Sequence, residues 1–361
     1  MFTIEMLEAN EGDALWIEYG DPAKPHRILI DCGYKSTYRE VMKRFDADPA
    51  LELELFVLTH IDGDHIAGSV PFIADARVTP ANVKEVWFNG RGHMDDGLGV
   101  EQALYFTHYL KDKGFKWNEA FGGRAVVIED GAALPVKRLA GGMTLTLLSP
   151  TREKLRKLAV AWDDELEKLM RRKGVDSEEE VVEQNSRTLA PDRLGSDPKV
   201  AELVTRPFKS DTTEPNGSSI AFLAEYKDPF DGNRDKAVLF LGDAHSPVVE
   251  ESLGKLLAER QLGRLTVDAL KLSHHGSKNN TSRELLDLLV CKHFLFSTNG
   301  SKHDHPDPEC VARVVVKKRP GVELHFNYMT KINEVWKPLE ADFKFTARYP
   351  ADGQKGLDVS V

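Results

Sequence analysis

The sequence contains few cysteines, and those it has are scattered. Among 361 residues they occur at Cys32, Cys291 and Cys310, an odd number with no Cys-x-x-Cys pair. This spacing argues against a disulfide framework and against cysteines as the principal ligands of a metal. It fits a reducing compartment, so we expect the protein to be cytoplasmic.

Long hydrophobic runs and an excess of positive charge are also missing. No apolar run approaches the roughly 18 residues of a membrane span, and the first residues lack the basic and apolar regions of a signal peptide. We therefore expect no membrane association. The formal net charge is −10, so the chain as a whole should not attract nucleic acid. Contact with a polyanion would need a local basic patch or a bound metal.

The composition is that of an ordinary globular protein, with 41% hydrophobic and 29% charged residues. Short apolar strands alternate with helices or turns along most of the chain, which predicts a layered α/β architecture. A chain of this length can form one large domain or two ordinary ones. We interpret residues 1–361 as a single domain with a helical insertion over 151–215 and a strand-rich extension over 316–361.

The predicted insertion contains a stripe of large apolar residues. Ser149-Pro150 resembles a helix start. The residues that then recur at helical spacing are Leu155, Leu158, Trp162, Leu166 and Leu169. Ser177 to Glu180 resembles a capping box for a second helix, and residues 190–215 are predicted as a loop. The stripe indicates packing, and any protein partner would be expected to bind through 151–215.

The densest polar cluster follows a short apolar strand within Leu55–Gly68. His60, Asp62, Asp64 and His65 occur within six positions. Imidazole and carboxylate at this density are typical of a site for zinc or a harder divalent metal. Alternate residues of an extended turn point the same way, so His60 and Asp62 can share one ion while Asp64 and His65 turn toward a second. This spacing suits a site with two ions about 3.5–4 Å apart.

Two later strands also end in polar residues. Asp243 follows the first of them, and we predict that its carboxylate bridges two cations; His245 is a candidate ligand or a hydrogen-bond partner of one. The second strand ends in His274-His275-Gly276-Ser277. One imidazole of this pair is expected to bind metal and the other to support a ligand or contact the substrate. A loop over 299–306 is a weaker candidate for the same site.

Together these motifs resemble the metallo-β-lactamase superfamily, whose usual pattern is His-x-His-x-Asp-His, a separate His, an Asp and a late His. The closer similarity is to the hydrolase domain of ComEC-type competence proteins and their free-standing relatives. The matching pieces, in order, are Gly12-Asp13-Ala14, Asp31 and Gly33, Leu148-Ser149-Pro150, Asn216 to Ser219, Gly242-Asp243, His274 to Ser277 and His305-Pro306. The resemblance implies an αββα sandwich.

The resemblance also implies a ligand set and shows where this chain departs from it. The implied metal ligands are His60, Asp62, Asp64, His65, Asp243 and His274. In this alignment His275 lies one position outward. Asp62 replaces the second histidine of the usual motif, and Asn216 falls where a separate histidine is usual. The carboxylate oxygen of Asp62 and the amide oxygen of Asn216 are harder ligands than imidazole. We expect one or two divalent ions, zinc or manganese.

These features predict a metal-dependent hydrolase, most specifically a phosphodiesterase or nuclease. Asp64 or Asp243 would orient a metal-activated water, and His305, Lys278 and Asn299 would bind the phosphate or protonate the leaving oxygen. The expected partner is a phosphodiester substrate, which includes nucleic acid. One alternative is a hydrolase of a small ester, lactone or nucleotide, because fold does not fix substrate. The other is a non-catalytic interaction module with a degenerate metal site.

Overall fold

A computed structural model describes residues 1–90, 100–173, 199–229, 231–232, 234–316 and 321–361. Two β-sheets pack face to face, and helices cover their outer surfaces. This is the αββα sandwich that the sequence predicted. No helix among the described residues is long and apolar enough to cross a membrane.

The first sheet has six strands in the order β14-β1-β2-β3-β4-β5. Their bounds are β1 Phe2–Met6, β2 Leu15–Asp21, β3 Lys24–Ile30, β4 Leu55–Val57, β5 Val86–Trp87 and β14 Leu357–Ser360. The β14-β1-β2-β3 part is antiparallel, and β3, β4 and β5 are parallel to one another.

The second sheet has eight strands in the order β13-β12-β11-β10-β9-β8-β7-β6. Their bounds are β6 Val136–Arg138, β7 Thr144–Ser149, β8 Ala221–Asp228, β9 Arg234–Phe240, β10 Leu265–Lys271, β11 Leu289–Phe296, β12 Val322–Phe326 and β13 Phe345–Arg348. Strands β6 to β9 are antiparallel, whereas β9 to β13 run parallel. The last strands of the chain thus complete both sheets.

Helices connect the strands and cover both outer faces. On the first sheet and its neighbours lie α1 Lys35–Ala47, α2 Gly63–Ala74, α3 Val100–Asp112 and α4 Arg152–Lys173. The others are α5 Val200–Thr205, α6 Glu214–Gly217, α7 Ser246–Arg260, α8 Arg283–Asp287, α9 Pro308–Val315 and α10 Glu340–Phe343. The predicted capping box at Ser177 lies outside the described residues.

The two-residue period of the strands separates two hydrophobic cores. On β2, Leu15 and Ile17 face the second sheet and join the central core, while Trp16 points to the helices outside the first sheet. The insertion stripe belongs to the outer core. Its five residues, Leu155, Leu158, Trp162, Leu166 and Leu169, are all at most 5% exposed. The interpretation of the stripe as packing is therefore confirmed.

One local prediction was wrong. The predicted loop over 190–215 contains α5 in its described part, because Val200 buries an apolar side chain there. In the predicted strand-rich extension over 316–361, residues 322–348 form β12 and β13, which a 3₁₀ turn and α10 separate.

The parallel strands determine where polar loops meet. β4, β9, β10 and β11 all end at the same edge of the sandwich. There Ile220 N donates to Thr59 O at 2.9 Å and joins the backbone of the two sheets, while His274 N donates to Gly242 O at 2.9 Å and joins the loops after β10 and β9. Side chains that follow the carboxyl ends of such strands converge. The fold thus gathers the predicted ligands at this edge.

Close packing of α2 against the loop after β3 leads to a prediction about Gly68. A Cβ at Gly68 would lie 2.0 Å from Cys32 O and 2.5 Å from Tyr34 O. Gly68→Ala should therefore lower the free energy of unfolding by about 1–3 kcal/mol, measured by urea denaturation. Gly254→Ala is the matched control, because Gly254 is exposed on α7 with no atom in reach, and it should stabilise by about 0.4–1 kcal/mol. Equal effects of the two changes would contradict this packing.

Candidate metal centre

Three strand ends supply the central side chains. His60 is the third residue after β4, and Asp64 and His65 lie in the first turn of α2. Asp243 follows β9, and the histidine pair lies in a tight turn after β10. Because rigid strands hold each loop, the sequence-distant groups meet in a fixed geometry.

The Asp243 carboxylate is the centre of this arrangement. Four imidazole nitrogens surround its Oδ2 atom, at 3.5 Å for His65 Nε2, 3.7 Å for His60 Nε2, 3.7 Å for His275 Nε2 and 3.8 Å for His274 Nε2. Asp243 itself is 2% exposed. One carboxylate shared by so many imidazoles is the arrangement expected of a bridging ligand.

Two ligand groups lie beside one another and have His65 in common. On one side, Asp62 Oδ2 lies 3.6 Å from His60 Nε2. On the other side, Asp64 Oδ2 lies 3.4 Å from His275 Nε2 and 3.8 Å from His65 Nε2. His60, His65 and Asp243 form one group whose ligand atoms all lie within 4.8 Å of one another, and Asp64, His65 and His275 form another. The site can therefore accommodate two ions.

The polar atoms that face this centre fit a metal. His60 Nε2, His65 Nε2, His275 Nε2 and Asp243 Oδ1 are buried and have no hydrogen-bond partner. A buried polar atom without a partner normally costs free energy, so four of them around one point indicate a missing ligand. Imidazole nitrogen with carboxylate oxygen is a donor set for zinc or manganese.

Charges in the centre are strongly coupled. Burial alone would raise the pKa of Asp243, but His65 and His275 outweigh it, and the pKa of this carboxyl lies well below its usual range. Asp64 behaves in the same way, with a pKa lowered by His65 and His275 against burial. Burial opposes the charge of His275, yet Asp243 and Asp13 raise its pKa to about 9. The carboxylates are thus ionised and available as ligands.

The expected order of the histidine pair is reversed. His275, predicted to lie outward, has a side chain only 3% exposed and joins the ligand group, whereas the His274 side chain is 23% exposed. Both residues have positive φ, 48° and 55°. The alternation of an extended strand therefore does not continue through this turn, and the more buried position falls to His275 rather than to His274, which the resemblance had placed as the ligand.

Buried residues behind the ligands fix two of the imidazoles. His65 Nδ1 lies 2.7 Å from Asp31 Oδ2, and Thr59 donates to both oxygens of Asp31 from its N and Oγ1 at 2.7 Å. Such a contact sets the tautomer and leaves Nε2 free to face a metal. His275 Nδ1 is likewise 2.9 Å from Ser297 O. Asp31 appeared in the sequence only as part of a strand-end motif.

A buried ion pair supports His275 from the other sheet. Lys271 Nζ donates to Asp13 Oδ2, and both side chains are at most 1% exposed. Asp13 Oδ1 lies 3.4 Å from His275 Nδ1. Sequence reasoning noted Asp13 in a motif but missed Lys271, whose 258-residue separation from Asp13 gives no local signal. A charged residue inside the apolar β10 run was the available hint.

Asp211 is a further residue that sequence reasoning missed. Its Oδ2 atom accepts from Asn216 Nδ2 at 2.6 Å and Asn280 Nδ2 at 3.0 Å, and it lies 3.5 Å from His274 Nδ1. Asn216 is buried, and its Oδ1 atom is without a partner. Asp211 therefore orients His274 and Asn216 together. It falls in a segment that looked like a polar loop.

The remaining predicted residues lie around this centre. His245 is buried, with Nδ1 2.9 Å from Lys154 Nζ and Nε2 3.9 Å from Asp211, so it contacts the neighbourhood of His274 rather than Asp243. The His305 ring lies 5.2 Å from that of His274. Lys278 is paired with Asp307 at 3.2 Å, and Asn299 donates weakly to Asn10 at 3.4 Å. None of these four belongs to the two ligand groups around Asp243.

The pair behind His275 leads to a testable expectation. Asp13→Leu leaves Lys271 buried without its partner, which should lower the free energy of unfolding by about 3–5 kcal/mol. Because His275 also loses its carboxylate neighbour, zinc affinity should fall by about 10–100-fold. Urea denaturation and calorimetric zinc titration measure the two effects.

The double variant Asp13→Leu/Lys271→Met separates the effect on stability from the effect on zinc affinity. Replacing both charges by apolar groups of similar size should restore most of the stability. It should not restore zinc affinity, because no carboxylate then supports His275. A double variant that binds zinc as tightly as the unmodified protein would show that the pair has no part in positioning the ligand.

Comparisons with known proteins add little to this geometry. No family model and no curated protein matches the sequence. One solved structure with some similarity is a subclass B3 metallo-beta-lactamase isolated from a soil metagenome library. It is 12% identical, with a TM-score of 0.31, and the match covers 75% of this chain and 76% of that one.

Proposed function

We propose that this protein is a metal-dependent hydrolase of the metallo-β-lactamase superfamily whose substrate is a phosphodiester, nucleic acid included. One observation carries the proposal: buried, unpartnered imidazole nitrogens converge on the buried Asp243 carboxylate. The αββα sandwich and the ordered series of motifs support the superfamily. The phosphodiester follows from the resemblance to ComEC-type hydrolase domains.

The proposed cofactor is one or two divalent ions, zinc or manganese. His60, Asp62, Asp64, His65, Asp243 and His275 would hold them. When bound, such ions supply Lewis acidity toward a phosphoryl oxygen and activate a water molecule near neutral pH. Asp62 is the most exposed of these side chains, at 41%, so it is the ligand most accessible from solvent.

The protein's own groups would orient the reactants. Asp64 or Asp243, both ionised, would accept a hydrogen bond from the attacking water and aim it at phosphorus. Burial, with His274 next, lowers the pKa of His305 well below its usual range. A neutral His305 can donate a hydrogen bond to a phosphoryl oxygen, but it is a poor source of a proton for the leaving oxygen.

Two surface groups would extend the contact to the phosphate. Lys278 has a side chain 44% exposed, and its ion pair with Asp307 is a single contact at 3.2 Å. Such a pair contributes little, so Lys278 can turn toward a phosphate at small cost. Asn299 is held next to Asn10 by a backbone hydrogen bond at 2.8 Å, and its side-chain amide makes only a weak hydrogen bond to Asn10 at 3.4 Å.

The test is Asp243→Ala in the metal-loaded protein. Hydrolysis of bis-p-nitrophenyl phosphate, or of the best phosphodiester found, should fall by about 10²–10⁴-fold, the range for a positioned catalytic group. The matched control is Asp358→Ala, because Asp358 lies exposed on the edge strand β14. That control should keep full activity. Unchanged activity in Asp243→Ala would contradict the assignment.

A substrate panel of DNA, cyclic nucleotides, lactones and carboxylic esters decides the class. Cleavage of phosphodiesters supports the proposal. Cleavage of carboxylic esters or lactones alone would replace it with the small-ester hydrolase. Fewer than about one metal per chain with no turnover at all would favour a non-catalytic module, since a hydrolase of this kind requires its ion.

A further inference from the structure

A second group of imidazoles with a carboxylate lies on the second sheet, away from Asp243. His293 is on β11, and Glu323 and His325 are on β12. The parallel register pairs His293 with Glu323, and His325 follows two positions later. Residues at this spacing project from one face of a sheet. The two adjacent strands therefore place all three side chains together.

The three side chains are within ligand distance of one another. His293 Nδ1 lies 2.9 Å from His325 Nε2, and Glu323 Oε2 lies 4.0 Å from the same His325 nitrogen. One ligand atom from each residue can be chosen so that all lie within 4.8 Å. These residues share no member with the groups around Asp243. The arrangement thus stands independently of the proposed hydrolase site.

Both imidazoles keep a lone pair available at neutral pH. Burial and then Lys292 lower the pKa of His293. Burial and then His293 lower the pKa of His325 to about 4. The hydrogen bond between the two neutral rings needs only one proton on the facing nitrogens, His293 Nδ1 and His325 Nε2. Without that hydrogen bond, both nitrogens face the same point. Two histidines and one glutamate form a known donor set for zinc.

The site is accessible to solvent, but an arginine already binds its carboxylate. His293 is half-buried, so solvent reaches the group and water can complete the coordination. Glu323 Oε2 accepts from Arg348 Nε at 2.9 Å, and Lys292 Nζ lies 3.7 Å from Oε1. The Arg348 side chain is 55% exposed, so it can leave the carboxylate without stranding a buried charge. A metal must therefore displace this arginine.

We propose that His293, Glu323 and His325 form a second, separate site for a zinc-type divalent ion that bridges β11 and β12. An ion bound there links two strands near the edge of the second sheet. Binding to the folded protein alone stabilises it in proportion to the logarithm of metal concentration. The ion would be a structural or regulatory addition, since these three residues share no member with the groups around Asp243.

The first test is a zinc titration of metal-free protein by calorimetry, with His325→Gln beside the unmodified chain. His325→Gln should remove one equivalent of bound zinc. The same loss should occur in an Asp243→Ala background, because the two sites are independent. His293→Gln, at the more exposed position, should give the same result and covers the case in which His325→Gln folds poorly. Unchanged stoichiometry in both variants would overturn the proposal.

Two further variants sharpen the result. His26→Gln is the matched control, because His26 also contacts a carboxylate, Glu54 at 2.7 Å, but has no second imidazole; zinc stoichiometry should not change. Arg348→Gln frees Glu323 from its competitor and should tighten zinc binding at this site by about tenfold, the lower end of the effect of partner groups near a metal ligand. Unchanged or weaker binding in Arg348→Gln would count against a glutamate ligand.

Discussion

The burial of an ionised carboxylate, Asp243, is the constraint on which the rest of the structure depends. An isolated charge in such a place would be prohibitively costly, so the fold must surround it with partners. The segments after two other strands, β4 and β10, do this by delivering four imidazoles to within 3.8 Å of one oxygen. Bound cations would relieve the remaining cost, because they neutralise the carboxylate and satisfy nitrogens that have no partner. The arrangement around Asp243 is therefore better explained as a set of metal ligands than as a buried polar cluster that is stable without an ion.

Three of the four imidazoles around Asp243 contact a second group that comes from elsewhere in the chain. Asp31 holds His65, Asp13 and Ser297 hold His275, and Asp211 contacts His274. The Asp13–Lys271 pair also connects the first sheet to the second, so ligand positioning and the packing of the sandwich depend on the same contacts. Such supporting groups keep ligands in place before the ion binds.

The sequence predicted the parts of this structure that local pattern encodes. Apolar runs ending in His and Asp predicted the strand ends, a layered α/β architecture and the residues His60, Asp64, His65 and Asp243, and the superfamily resemblance implied the αββα sandwich. The resemblance put His274 at the ligand position, whereas His275 is the more buried of the pair, because positive φ in a tight turn leaves no periodic signal. Sequence reasoning missed Lys271 and Asp211, since their roles depend on partners up to 258 residues away. The cluster of His293, Glu323 and His325 depends in the same way on the register of two parallel strands.

Anomalous diffraction from crystals grown with manganese or zinc tests the central claim most directly. The account predicts electron-density peaks on both sides of the Asp243 carboxylate, one beside His60 and one beside Asp64, His65 and His275. Each peak should lie at a bonding distance of about 2.0–2.2 Å from these ligand atoms. A map with no peak near Asp243, at metal concentrations that saturate the protein in solution, would contradict it.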